Sequence, residues 1–298
     1  MTRQFVCTPE EPVVQTSAGR VHGFLIDGLA CFRGIPYAKA RRFRMPEPPD
    51  PWTGVLDATS YGYVCPMLER ESAQGELLVA HRYWPKDENC QSLNLWSPGL
   101  DGKKRPVLVW LHGGGFSSGS SIEHIAYDGE ALSRFGDAVV VSLNHRLNIL
   151  GYLDLSAYGE QYRNSANVGN ADIVAALEWI RDNIAAFGGD PDNVTLFGQS
   201  GGGAKVIALM QTPAADGLFH KGIIMSGVAD ALCLRRGTPS GKIGEALLRE
   251  LGLKPSQIGT LGTLPYDRLA GAYNRVSPVL CREGRYIGCL PLPNEWYR

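Results

Sequence analysis

The segment VTLFGQSGGGAKV, Val194–Val206, is the most informative part of this sequence about its fold. Its first residues, VTLF, form an apolar run that is typical of a buried strand, and the run GGGAKVIALM, Gly201–Met210, predicts a helix directly after it. Ser200 lies between the two in the pattern Gly-x-Ser-x-Gly, where the chain must reverse within a few residues and bulky neighbours would not fit. The stretch therefore predicts a strand–turn–helix connection that lifts a serine hydroxyl above the edge of a sheet.

A second glycine-rich turn lies upstream. The segment WLHGGGF, Trp110–Phe116, also follows an apolar run, and its glycines can turn backbone N–H groups inward. Such donors stabilise the oxyanion of an acyl-transfer reaction, each by about 3–4 kcal/mol. Gly-x-Ser-x-Gly alone also fits a strand-to-helix connection without a catalytic role. A glycine-rich loop can also bind phosphate, but neither of the phosphate-binding patterns GxxxxGK[ST] and GxGxxG is present. The two turns together favour acyl transfer with Ser200 as the nucleophile.

The remaining pattern predicts an α/β fold with a mostly parallel central sheet and helices on both faces. The runs RPVLVWLHG, DAVVVSLNHR, NVTLFG and KGIIMSG are typical of strands buried on both faces. Apolar residues spaced by three and four predict a helix between residues 167 and 187, and GKIGEALLRELG predicts another that stops at Gly252. After about Gly259 only short pieces broken by proline and glycine are expected.

We expect one domain over residues 1–298, with N-terminal strands and a long loop in 1–100, the core with the serine turn in 105–230, and the start of a helical cap in 231–298.

The composition excludes several classes of partner. Lys and Arg number 29 and Asp and Glu 30, so nothing favours nucleic acid or an anionic membrane electrostatically. No apolar stretch has the length of a membrane span, and the N-terminal MTRQFVCTPEEPVV lacks the apolar core of a secretory signal, so we expect a cytoplasmic protein. The seven cysteines include no CxxC, and no His/Cys cluster has metal-ligand spacing. We therefore predict no metal and no cofactor.

The sequence resembles the type-B carboxylesterases, a family that includes the cholinesterases. The resembling blocks follow in order over nearly the whole chain: FRGIPYA, ENCQSLNLW, WLHGGGF, NHRLNILGYL, ALEWIRDNIAAFGGDPDNVTLFGQSGGG and GLFHKGIIMSG. The resemblance implies an α/β-hydrolase fold and a small-molecule ester substrate. It implies that Ser200 is the nucleophile and that the N–H groups of Gly114, Gly115 and Gly201 form the oxyanion hole.

The resemblance also implies structural pairings and shows two departures. The implied pairs are the cysteines Cys65 and Cys90 and the ion pairs Arg33–Glu88 and Arg146–Asp172; whether the cysteines are bonded stays open in a reducing compartment. The family most often has Glu before the serine and Ala after it, where this chain has Gln199 and Gly201. Gln199 supplies no carboxylate for a cationic alcohol, and Gly201 keeps its N–H while adding space.

The general base and its acid partner are not found. Only His220 follows Ser200, in a block where the family has no catalytic histidine, and the family's acid and histidine come beyond this chain. We therefore expect the N-terminal part of an esterase, truncated before its last strands, that is nearly inactive without the missing C-terminal half. A non-catalytic binding protein of the same fold, and transacylation at the same site, remain as alternatives.

Overall fold

The computed structural model describes residues 3–68, 82–227, 241–286 and 288–292. The strands in these residues are β1 (Phe5–Val6), β2 (Val13–Gln15), β3 (Arg20–His22), β4 (Phe24–Ile26), β5 (Leu29–Pro36), β6 (Val55–Asp57), β7 (Ser92–Ser97), β8 (Arg105–Leu111), β9 (Val139–Leu143), β10 (Gly189–Gln199) and β11 (Lys221–Met225). The α-helices are α1 (Glu130–Gly136), α2 (Asn148–Tyr152), α3 (Val168–Asn183), α4 (Gly201–Met210), α5 (Gly241–Glu250) and α6 (Tyr266–Arg282).

Eight strands form one mixed sheet in the order β1-β4-β5-β7-β9-β8-β10-β11, and β2, β3 and β6 form a small second sheet. The pairs β9–β8, β8–β10 and β10–β11 are parallel, whereas the pairs β1–β4, β4–β5, β5–β7 and β7–β9 are antiparallel. The antiparallel part departs from the predicted mostly parallel order because tight connections, such as the one between β4 and β5, can join only antiparallel strands. The parallel part positions the site.

The central strands are buried on both faces, as predicted. Val139 and Val141 of β9 belong to the largest core cluster, which includes α3, whereas Val140 between them packs with Trp96 in a separate cluster. Since successive side chains of a strand point to opposite faces, both faces of the sheet are covered here. The predicted helix is also present as α3, followed by a 3-10 turn at Ile184–Phe187.

The prediction that KGIIMSG is buried on both faces is wrong. Gly222 and Ile224 of β11 lie against α4, but Ile223 and Met225, which point to the other face, are 51% and 39% exposed. β11 is the last strand in the sheet order, and its outer edge pairs with no strand in the described ranges. An apolar run indicates a strand, but it cannot indicate which neighbours are present to cover it.

The prediction of short broken pieces after Gly259 is also wrong. Helix α6 runs for 17 residues through Pro278. Its buried residues Leu269, Ala272 and Tyr273 recur at helical spacing and join a second core cluster with α2 and α5. Packing of this face outweighs the local cost of glycine and proline inside the helix.

Of the two predicted ion pairs, one is confirmed and one is wrong. Arg146 and Asp172 form a buried bidentate pair, with Nη2 2.7 Å from Oδ1 and Nε 2.9 Å from Oδ2. Glu88 pairs with Arg42 instead of Arg33, and Arg42 Nε donates to Glu88 Oε2 at 2.9 Å. The guanidinium of Arg33 lies over two aromatic rings, at 4.4 and 4.8 Å from their centroids, which replaces the carboxylate as its partner.

Candidate active site

The sheet brings the two glycine-rich turns to the same edge. β8 and β10 are parallel neighbours, and their register places Gly198 opposite Leu111. Because both strands run in the same direction, Ser200 and the segment Gly113–Gly115 lie side by side at the carboxyl ends of β10 and β8. The sheet order thus unites what the sequence separates by more than eighty residues.

Ser200 has a backbone conformation that residues other than glycine rarely adopt. Its φ is 54° and its ψ −119°, between the end of β10 and the first residue of α4. Two hydrogen bonds hold it there: its N–H donates to the carbonyl of Met225 at 2.9 Å, and its carbonyl accepts from the N–H of Ala204 at 3.1 Å. Strain of this kind, of order 1–3 kcal/mol, persists only where the surroundings impose it and is concentrated at functional sites.

The glycines around Ser200 are required by close backbone contacts. An ideal Cβ on Gly198 would lie 2.5 Å from the carbonyl carbon of Gly202, and one on Gly202 would lie 2.0 Å from the carbonyl oxygen of Leu111. Both distances are far inside van der Waals contact, and both neighbours are backbone that cannot rotate away. Side chains here would separate the strand from the helix and move Ser200.

The three predicted donors lie together beside the serine. Gly114 and Gly115 have φ values of +83° and +62°, a conformation that glycine adopts without strain. In the described part of the chain, the N–H groups of Gly114, Gly115 and Gly201 donate to no protein group. Gly201 cannot donate within its helix, because the first N–H groups of a helix have no partner there.

The volume that a side chain would occupy at Gly201 is filled by the neighbouring glycine segment. An ideal Cβ on Gly201 would lie 2.3 Å from the backbone nitrogen of Gly115, so the oxyanion segment occupies the volume that a methyl group would need. An ideal Cβ on Gly113 would lie 3.7 Å from Cβ of Ser200, which is exposed. The serine therefore borders the triple-glycine segment.

No general base for Ser200 lies among the described residues. The Ser200 hydroxyl has no hydrogen-bond partner in these ranges, and His220 accepts from the N–H of Val194 at 3.1 Å through Nδ1. Val194 is six residues before Ser200 along an extended strand, a separation of about 20 Å, so His220 cannot reach the hydroxyl. The interpretation of His220 as non-catalytic agrees with this placement.

A cluster of buried titratable groups behind the glycine segment was missed from the sequence. Lys205 on α4 is fully buried, and its Nζ donates to the carbonyl of His112 at 2.8 Å. The rings of His112 and His145 stack at 5.3 Å, and burial together with the charge on Lys205 lowers both histidine pKa values well below the ordinary value. Burial also lowers the pKa of Lys205 to about 7, against the opposing charge of Glu123. The available signal was a single lysine within the otherwise apolar run AKVIALM.

Cys65 and Cys90 are adjacent thiols. Both are buried and free, and the pKa of Cys90 is raised well above its usual value by its hydrogen bond to Cys65 and by burial. Cys65 Sγ also accepts from the N–H of Leu147 at 3.2 Å. The two residues implied as a pair are therefore neighbours, in the thiol form.

Two further features of the described residues bear on cofactors and membranes. They contain no group of three or more His, Cys, Asp or Glu side chains arranged to hold a metal ion. Nor does any helix in the described ranges have both the length and the apolar character needed to cross a bilayer.

Comparison with known proteins identifies what this arrangement resembles. A model of the carboxylesterase family matches residues 10–277. Para-nitrobenzyl esterase from Bacillus subtilis (strain 168) is 40% identical over 269 residues, which make up 89% of this chain and 53% of the relative. Phenmedipham hydrolase from Pseudarthrobacter oxydans is 46% identical over 220 residues, 72% of this chain and 43% of the relative. The chain spans about half the length of these curated relatives.

The solved structures agree. An esterase from anaerobic Clostridium hathewayi that can hydrolyze aliphatic aromatic polyesters superposes with a TM-score of 0.94 at 60% identity, over 99% of this chain and 59% of that one. The Geobacillus stearothermophilus carboxylesterase EST55 superposes with a TM-score of 0.81 at 40% identity, over 94% and 55% of the two chains. These neighbours confirm the predicted α/β-hydrolase fold.

Proposed function

Because this chain belongs to the carboxylesterase family, we propose that it carries the nucleophile and the oxyanion hole of a serine esterase. Ser200 is the nucleophile, and the N–H groups of Gly114, Gly115 and Gly201 bind the oxyanion. The observation that carries this proposal is the convergence of three unpartnered N–H groups beside an exposed, strained serine.

The geometry supports an acyl-enzyme mechanism. The Ser200 oxygen attacks the ester carbonyl carbon while a base takes the hydroxyl proton, and the carbonyl oxygen gains the negative charge. In this proposal the three N–H groups donate to that oxygen, and because they are already in place beside the serine, their stabilisation needs no rearrangement as the charge develops. Collapse of the intermediate expels the alcohol, which takes up the proton, and leaves an ester on Ser200. Water then attacks this ester by the same route and releases the acid.

The base and its acid partner come from outside the described residues in this proposal. Without a base, serine hydrolases lose about a millionfold in turnover. We therefore expect residues 1–298 alone to be nearly inactive, whereas the full protein that contains them is active. The relatives suggest the substrate class: they are named for para-nitrobenzyl ester cleavage, phenmedipham hydrolysis and cleavage of aliphatic aromatic polyesters, so we propose carboxylic esters that include aromatic ones.

The test compares the full protein with two serine variants. Hydrolysis of p-nitrophenyl acetate and covalent labelling by an organophosphonate should both be lost in Ser200→Ala. Ser256→Ala, which removes a hydroxyl from an exposed position in the 3-10 helix Pro255–Gly262, should retain both. Labelling that persists in Ser200→Ala would overturn the assignment of the nucleophile. Strong labelling of residues 1–298 alone would show that the base lies within them.

A further inference from the structure

A buried lysine connects the two halves of the proposed oxyanion hole. Lys205 is on α4, four residues after Gly201, and so faces the same side of the helix one turn later. Its side chain is fully buried, and its Nζ donates to the carbonyl oxygen of His112 at 2.8 Å. His112 immediately precedes the segment Gly113–Gly115. One hydrogen bond therefore ties the helix that carries one donor to the segment that carries the other two.

We propose that Lys205 is a positioning residue for ester hydrolysis, which holds the glycine segment against the serine turn and directs positive charge towards the oxyanion. This inference rests on the proposed function. The carbonyl of Gly114 already accepts from the N–H groups of Ser117 and Ser118, whereas the N–H groups of Gly114 and Gly115 have no partner within the described protein. The hydrogen bond from Lys205 to His112 restrains the other end of this segment. A displacement of about 1 Å at a reacting group costs on the order of a hundredfold in rate.

The surroundings of Lys205 let its charge act at a distance. His112 and His145, stacked at 5.3 Å, are neutral because burial and the lysine lower their pKa values, so they add no competing positive charge. Glu123 is the negative group that opposes the effect of burial on Lys205, and its Oε2 accepts from the N–H of Ser120 at 3.1 Å. Lys205, His112 and His145 are all buried, so a charge here is felt more strongly than at the surface.

The first experiment uses the full protein with Lys205→Met, which keeps the length of the side chain but removes the donor and the charge. We expect kcat for p-nitrophenyl acetate to fall by about 10- to 100-fold, while KM changes less than about threefold. The matched control is Lys221→Met on β11, whose exposed Nζ donates to Asn193 Oδ1 at 2.7 Å. Its kcat should stay within about twofold of the wild type.

The pH profile separates positioning by a charge from a merely structural role. With the pKa of Lys205 at about 7, the wild-type to Lys205→Met ratio of kcat should decrease as the pH rises from about 6 to about 8, because the ammonium is lost. Because both proteins contain the same catalytic base, its titration cancels in the ratio of the two kcat values. A reduced kcat with a ratio that is constant over this range would overturn the inference.

Glu123→Gln provides a variant that keeps the lysine. The amide oxygen can still accept from Ser120, but loss of the negative charge should move the midpoint of the Lys205 titration, read from the kcat–pH profile of Glu123→Gln against that of the wild type, to lower pH. An unmoved midpoint in a folded Glu123→Gln would overturn the inference even where Lys205→Met fails to fold. A wild-type protein without esterase activity would overturn the proposed function and this inference together, whereas an active wild type with an unchanged Lys205→Met overturns the inference alone.

Discussion

The free energy of unfolding of the full protein should depend on pH differently in the wild type and in Lys205→Met. Burial lowers the pKa of Lys205 from its ordinary value of 10.5 to about 7 in the folded state. Between these two values the unfolded chain binds a proton that the folded chain does not, so wild-type stability rises with pH in this window. Below about pH 7 both states are protonated, and the full cost of burying the charge is present.

The size of the effect follows from the shift. Each pKa unit corresponds to about 1.4 kcal/mol, and a shift of roughly 3.5 units gives about 5 kcal/mol over the whole window. From about pH 6 to about pH 9 the realised part is about 3 kcal/mol. Methionine does not titrate, so the free energy of unfolding of Lys205→Met lacks this rise. The difference between Lys205→Met and wild type should therefore shift by this amount in favour of the wild type over that range.

Urea unfolding followed by circular dichroism at several pH values measures the difference directly. Lys221→Met, with the same change at an exposed site, should give a curve parallel to the wild type, since its lysine is solvated in both states. If the pH dependence of the free energy of unfolding is the same for Lys205→Met and wild type within about 0.5 kcal/mol, the pKa of Lys205 is not lowered by burial. The ammonium would then not be desolvated in the folded state.

Three further predictions concern the site and its support. Ser200→Ala should lower kcat for p-nitrophenyl acetate in the full protein by about a millionfold without a change in the melting temperature greater than a few degrees, which activity assays and calorimetry measure. Asp172→Asn should lower the free energy of unfolding by about 3–5 kcal/mol, because it leaves the buried guanidinium of Arg146 without a countercharge; urea titration would contradict this with a loss below about 1 kcal/mol. Gly202→Ala should destabilise by about 3 kcal/mol, since its Cβ has backbone 2.0 Å away, whereas Gly259→Ala, with open space around its Cβ, should change stability by less than about 0.5 kcal/mol in the same titration.

Local elements that depend on nearest neighbours are predictable from the residues alone. The crowded turn around Ser200 is readable because only glycine lets strand and helix backbones touch at Gly198 and Gly202. Helix α3 is readable from the spacing of its apolar residues, and the order of the family blocks allowed the buried pair of Arg146 and Asp172 to be predicted.

Features that depend on which distant segments meet are visible in the folded chain and not in the order of its residues. Glu88 selects Arg42 and not Arg33, and β11 exposes Ile223, because partners and covering surfaces are set by the sheet order and not by the run of residues. Lys205 is the clearest case: in sequence it is one cation in an apolar helix, and its partner is a backbone carbonyl 93 residues away. A backbone carbonyl has no signature in the amino-acid sequence, so the link between the two parts of the candidate site becomes visible only once β8 and β10 lie side by side.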